Sequence, residues 1–173
     1  MFLEKLKDIK CFVFDVDGVL TDGKVLALES GEQARNFLVK DGYGIERALL
    51  AGYIVAVISG GKQIGVQKRL EFLKIKHIHL GVNNKIEVFD KLCNDNKINR
   101  NEVLYVGDDL PDYDVMKLVG IPCCPFDATQ EIKDIALYVS DKKGGEGCVR
   151  DVIEKVMKVQ GTWRKFENKN INN

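Results

Sequence analysis

The 173-residue chain has no net charge, its 26 lysines and arginines matching 26 aspartates and glutamates. Nothing in that balance draws it to nucleic acid or to an acidic membrane surface. No apolar run approaches the roughly 18 residues that a membrane-spanning helix requires. The opening MFLEKLKDIK mixes charged with apolar residues and lacks the uninterrupted core of a signal peptide, so a cytoplasmic protein is expected. None of the five cysteines forms a C-x-x-C pair, and an odd count does not suit a disulfide framework. Histidine is scarce. His77 and His79 have no third histidine or suitably spaced cysteine to complete a metal site, and they read as ordinary residues at a strand start. No internal repeat or long linker interrupts the chain.

What is present is a series of short apolar runs at fairly regular intervals: CFVF (11–14), IVAVI (54–58), IHLGV (78–82), VLYVG (103–107), IPCCPF (121–126) and ALYVS (136–140). Most are continuous rather than alternating, the pattern of strands buried on both faces. Helical spacing lies between them, marked by Ile64, Val66, Leu70 and Leu73, then Ile86, Phe89 and Leu92, then Val115, Met116 and Val119. Val149, Val152, Ile153 and Val156 mark the last helix. Strand–helix alternation predicts an α/β fold, a doubly wound, mostly parallel sheet joined by right-handed crossovers. The segment KVLALESGEQARNFLV (24–39) breaks the rhythm and reads as a β-hairpin inserted after the first strand. A hairpin has little core of its own and must lie on the parent domain or on another subunit. Residues 1–160 are therefore expected to form one domain, and 161–173 a polar, disordered tail.

In an open parallel sheet, ligands bind beyond the carboxyl ends of the strands. The residues there are Asp15 and Asp17 after the first strand and Ser59, Gly60 and Gly61 after the second. Lys85 follows the third, and GDDLPD, with Asp108, Asp109 and Asp112, follows the fourth. Each has a plain structural alternative. Ser59 with two glycines makes a tight turn and cap, a lone lysine is usually a solvated surface residue, and GDDLPD makes an Asx turn with proline opening a helix. The conjunction favours chemistry. Several carboxylates at one sheet edge repel one another unless a cation sits among them, and hard oxygen donors select Mg²⁺. Ser59, the amides of Gly60 and Gly61, and Lys85 supply donors for a phosphate. Metal and donors around one tetrahedral anion suit phosphoryl transfer. Asp15 is assigned as the nucleophile that forms an aspartyl-phosphate, and Asp17, two residues along and on the same side, as general acid and then base. Gly18 lets the chain turn sharply without a side chain in the way.

With these residues in order, the chain resembles the haloacid dehalogenase superfamily: DVDGVLT, Ser59, Lys85 and GDDLPD stand in the positions of its four motifs. The stretches DGVLTDG, KDGYGI (40–45), GVNNKIEVF (81–89), GDDLPDYDVM (107–116) and GGEGCVRDV (144–152) are similar to those of the 3-deoxy-D-manno-octulosonate 8-phosphate phosphatases, over about residues 8–160. That resemblance implies a capless, Mg²⁺-dependent, tetrameric phosphatase acting on a small sugar phosphate in lipopolysaccharide precursor synthesis, its hairpins packed across subunits. It implies Asp15, Asp108 and the backbone carbonyl of Asp17 as metal ligands, with Asp109 and Asp112 behind them. Lys40, Asp41, Gly42 and Arg69 fall where the family contacts the sugar, and Gly144-Gly145 with Arg150 matches a mobile tail. Gly61 and Glu46 stand where many members carry basic residues, and Lys62 is a candidate replacement. A related family acting on nine-carbon 2-keto-3-deoxy sugar 9-phosphates shares the frame, so that substrate is the alternative. A receiver-like phospho-acceptor switch shares the chemistry but not the order, since here the D-x-D comes first and the DD fourth.

Overall fold

The computed structural model describes residues 2–164. Strands β1 (Cys11–Phe14), β2 (Leu26–Ala27), β3 (Gln33–Ala34), β4 (Ile54–Ile58), β5 (His77–His79), β6 (Val103–Val106), β7 (Ile121–Cys124) and β8 (Tyr138–Val139) alternate with helices. These are α1 (Phe2–Lys5), α2 (Val39–Leu50), α3 (Ile64–Phe72), α4 (Lys85–Asn96), α5 (Leu110–Met116), α6 (Gln130–Ile135) and α7 (Cys148–Val159). Six strands make one all-parallel sheet in the order β5-β4-β1-β6-β7-β8. The chain winds outward from β1 through β4 to β5, then crosses back and continues through β6, β7 and β8. The winding thus reverses between β1 and β6, the crevice where an open α/β sheet binds ligands.

Two apolar layers explain the continuous strand runs. Phe12, Phe14, Val55, Val57, Leu104 and Val106 pack into the layer that holds α2, α3 and α7. Their neighbours Cys11, Val13, Ala56, Ile58, Val103 and Tyr105 face α4, α5 and α6. Successive side chains on a strand point to opposite faces, so a strand covered on both sides is apolar throughout. In α7, Cys148, Val149, Val152, Ile153, Val156 and Met157 are buried at helical spacing.

The structure corrects several expectations. Helix α2 buries Ile45 and Ala48, but Gly42 and Gly44 occupy the rest of its inner face and cut its apolar spacing short. A Cβ on Gly42 would come within 2.8 Å of Arg69 Nη2, and one on Gly44 within 3.1 Å of Arg150 Cδ. Both glycines are there for the close approach of α3 and α7. Ile64, expected on the inner side of α3, is 72% exposed, and Val66 and Leu70 carry the buried face. Residues 161–164, expected in the tail, are docked: the Thr162 amide donates to the Met157 carbonyl at 2.7 Å, and the Arg150 guanidinium lies 4.4 Å from the Trp163 ring centre. The rest of that tail, 165–173, lies outside the described residues.

The hairpin is present where the sequence placed it, β2 pairing antiparallel with β3 around a turn in which Gly31 adopts φ +84°. Its residues 23–34 are exposed, among them Leu26 and Leu28. Among the described residues no helix is long and apolar enough to cross a membrane.

Candidate active site

The β1 ladder runs one residue past Phe14, the Asp15 amide donating to the Val106 carbonyl at 3.1 Å. The chain then turns through Val16–Leu20, and Gly18 makes the bend at φ +86°. A Cβ at Gly18 would lie 2.0 Å from Asp108 Oδ2, so glycine is required by the neighbouring carboxylate as well as by the backbone. Thr21 closes the turn, its amide and its hydroxyl both donating to the Val16 carbonyl.

Beyond β6, Asp109 is exposed and caps α5, accepting from the Leu110 amide at 2.7 Å, with Pro111 in the first turn. The plain reading therefore describes Asp109, whose carboxylate caps the helix. Asp112, one turn on, points back and is 1% exposed. Lys85 opens α4, whose cap is Asn84 accepting from the Glu87 amide. Its Nζ donates to Asp15 Oδ1 at 3.0 Å and to Asp112 Oδ1 at 2.7 Å, a buried ammonium bridging two carboxylates. The buried Tyr105 hydroxyl donates to the same Asp112 oxygen at 2.7 Å. Ser59 is buried at the end of β4, fixed by its amide to the His79 carbonyl, and Gly60 and Gly61 follow.

Oxygens of Asp15, Asp108 and Asp112 lie within 4.8 Å of one another, and among the described residues this is the group able to hold a metal ion. Burial raises Asp15 to about 6, with Asp112 adding to the rise and Lys85 opposing it. Burial and then Asp15, Asp112 and Asp109 raise Asp108 to about 8. Lys85 is held charged: burial works against its proton, but Asp15 and Asp112 outweigh it. The cluster thus holds more negative charge than Lys85 neutralises. Hard oxygens with surplus charge and no soft donor are the set that suits Mg²⁺. Both Asp112 oxygens are taken, Oδ1 by Lys85 and Tyr105 and Oδ2 by the Asp108 amide, which leaves Asp15 and Asp108 as the groups that could hold the ion.

Asp17 has an unforeseen partner. Arg35, just past β3 in the hairpin, donates from Nε to Asp17 Oδ1 at 2.6 Å and from Nη2 to Oδ2 at 3.2 Å. Nothing in the sequence marks Arg35 beyond its charge, and Tyr105 is hidden inside an apolar strand run.

The remaining candidates lie around α2. Lys40 is exposed and lines a groove with Gly147, Arg150 and Glu154 on the α7 side, whereas Gly42 lies under the Arg69 guanidinium where α2 meets α3. The Asp41 carboxylate turns inward instead. It is 1% exposed and accepts from the Arg150 amide at 2.8 Å, tying α2 to the first turn of α7. Burial raises it to about 6 against the help of the Arg150 and Gly147 amides. The Asp41 carboxylate thus joins helix α2 to helix α7. The Gly144-Gly145 stretch is likewise packed down, the Gly145 amide donating to the Val19 carbonyl at 3.0 Å. A Cβ on Gly144 would overlap the Gly18 carbonyl at 1.9 Å.

A family profile for haloacid dehalogenase-like hydrolases matches residues 72–153. The chain is 39% identical over 159 residues to the 3-deoxy-D-manno-octulosonate 8-phosphate phosphatase KdsC of Salmonella typhi, covering 92% of this chain and 85% of that one. The crystal structure of the corresponding phosphatase from Yersinia pestis superposes with a TM-score of 0.92 at 32% identity, over 94% of this chain and 88% of that one. The Moraxella catarrhalis phosphatase, in complex with a magnesium ion, a phosphate ion and a KDO molecule, gives 0.90 at 32% identity, over 93% and 92%.

Proposed function

The chain belongs to the 3-deoxy-D-manno-octulosonate 8-phosphate phosphatases, within the haloacid dehalogenase-like hydrolases, and on that premise we propose that it hydrolyses this sugar phosphate to KDO and phosphate with Mg²⁺ as cofactor. The observation that carries the reading is the cluster at the β1–β6 crevice, where Lys85 bridges Asp15 and Asp112 and Asp108 stands beside them. That cluster lies beside a hydroxyl, Ser59, and the glycine turn that follows it.

Asp15 attacks phosphorus and takes the phosphoryl group as an aspartyl-phosphate. Lys85 touches Asp15 already and remains beside the transferred group, whose equatorial oxygens it and Ser59, with the Gly60 amide, are placed to receive. Asp17 gives a proton to the departing sugar alkoxide, then takes one from the water that hydrolyses the aspartyl-phosphate. Asp112, held by Tyr105, keeps the Lys85 ammonium in place. Mg²⁺, held by Asp15, Asp108 and the Asp17 carbonyl, neutralises charge on the carboxylates and the phosphate when bound. Lys40, Asp41, Gly42 and Arg69, from α2 and α3, are the candidates to contact the sugar.

The enzyme works in the cytoplasm on lipopolysaccharide precursors, as a homotetramer in which the exposed apolar side of the hairpin meets neighbouring subunits. On this reading residues 1–160 are the phosphatase domain. Phosphate release, with and without Mg²⁺, from the eight-carbon 8-phosphate and from a nine-carbon 2-keto-3-deoxy sugar 9-phosphate tests the reading. Preference for the nine-carbon sugar would keep the mechanism and replace the substrate. Release from neither would overturn both.

A further inference from the structure

The hairpin residues 23–34 are solvent-exposed, yet the Arg35 side chain that follows them is only 5% exposed. Its partner carboxylate on Asp17 is 38% exposed, so the pair is lopsided, with a sunken guanidinium holding a carboxylate that opens outward. Surface ion pairs contribute little because two mobile side chains must be ordered in water. Here the arginine is already ordered by burial, and its Nη1 has no hydrogen-bond partner among the described residues. A buried unpaired N–H is costly, so the arginine is held there by something worth more than that loss. Its two contacts form a fork, Nε to Oδ1 and Nη2 to Oδ2, and a planar fork fixes the plane of a carboxylate that one contact would leave free to rotate. On the other side of Asp17 stands Gly61, where a Cβ would lie 3.7 Å from Asp17 Oδ2 and 2.7 Å from Gln63 Oε1, so glycine leaves the space that a side chain there would take beside the carboxylate.

We propose that Arg35 is a positioning residue for the acid–base step, orienting the Asp17 carboxylate toward the reacting oxygen and coupling the hairpin to catalysis. The inference rests on Asp17 being the acid and base. Proton transfer by a placed side chain contributes about 10²–10⁴-fold, and a misplacement of about 1 Å forfeits on the order of 10² of it. The hairpin then has a catalytic duty within its own chain, separate from any packing against neighbours.

The test compares Arg35→Met, Arg35→Lys and Asp17→Asn in the full chain with Mg²⁺, on the eight-carbon sugar phosphate and on p-nitrophenyl phosphate. Nitrophenolate leaves without a proton, whereas a sugar alkoxide needs one. Arg35→Met should lower kcat on the sugar phosphate about 30- to 100-fold with KM little changed. With p-nitrophenyl phosphate it should give a burst of about one nitrophenolate per site followed by slow turnover, because phosphoryl transfer to Asp15 survives and hydrolysis does not. Arg35→Lys, which keeps charge but not the fork, should recover part of kcat. Unchanged kcat in Arg35→Met overturns the proposal. So does an equal loss on both substrates with no burst, which marks a merely structural staple, or a change confined to KM. Full turnover in Asp17→Asn would instead remove the acid–base reading itself, whatever the arginine variants do.

Discussion

Replacing Lys85 by methionine removes an ammonium that sits 3.0 Å from Asp15 and 2.7 Å from Asp112, all three side chains being buried. Breaking a buried pair from one side costs more than the pair contributes, because the surviving charge has neither partner nor water. The loss has a ceiling, since a carboxylate can take up a proton instead. For a group whose ordinary pKa is 3.8, folding with a proton bound costs about 4 kcal/mol at pH 7 and about 2 kcal/mol at pH 5. The sign follows from proton counting. The folded variant binds a proton that the unfolded chain releases, so its stability falls as pH rises. Lys85→Met should therefore be destabilised by about 3–4 kcal/mol at pH 7 and by roughly half of that at pH 5.

Denaturant titrations with a chelator present, at both pH values, measure the effect. The double variant Lys85→Met/Asp112→Asn should recover about 1–3 kcal/mol relative to the sum of the single changes, since it removes charge and partner together. Both variants should lose at least about 10²-fold in phosphate release. Equal destabilisation at pH 5 and 7, or strict additivity in the double variant, would refute the view that Lys85 neutralises a cluster short of positive charge.

Asp15→Asn should fold and give no phosphate release above background, while full turnover would remove it as nucleophile. Asp17→Asn should still bind Mg²⁺ by calorimetry, because its proposed contact is through the backbone, yet lose about 10²–10⁴-fold in kcat. Asp41 sits at about 6 in the folded chain, raised above its ordinary value of 3.8. Its contribution is thus greatest below pH 4 and is lost as pH rises toward 6, and Asp41→Asn should flatten that slope by up to about 3 kcal/mol. Leu26→Glu, at a hairpin residue 63% exposed, should give a smaller species by light scattering while leaving Arg35 in place. A species of the same size as the parent chain's would show that the hairpin does not build an assembly.

The sheet was legible because its physics is local. Strands buried on both faces must be apolar throughout, and α7 has a full stripe from Cys148 to Met157. Helix α2 was not legible, because two of its inner positions, Gly42 and Gly44, are set by what approaches them, Arg69 and Arg150, which lie far along the chain. The missing side chains leave only Ile45 and Ala48 to mark the period. The strand runs also overstate the strands. IHLGV suggests pairing out to Val82, whereas β5 ends at His79 and the chain turns at Gly81 with φ +69°.

The same division runs through the site. Asp15, Ser59, Lys85 and Asp108 follow strands, so the sheet delivers them to one edge, and chain order alone places them together. Asp17 has that address too, but its partner does not. Arg35 reaches it from a hairpin whose strands are two residues long, and no spacing rule connects position 35 to position 17. Asp41 shows the same division. It stands in a stretch of likeness to sugar-binding residues, and its partner, the backbone amide of Arg150, comes from a helix far along the chain. A side chain's address comes from its own element and is written in the sequence near it. Its partner comes from packing between elements, and a carboxylate's duty is decided by the partner. Asp15, Asp17 and Asp41 differ little as letters; Lys85, Arg35 and the α7 amide separate a group bridged by an ammonium, a group held by a fork, and a joint between helices.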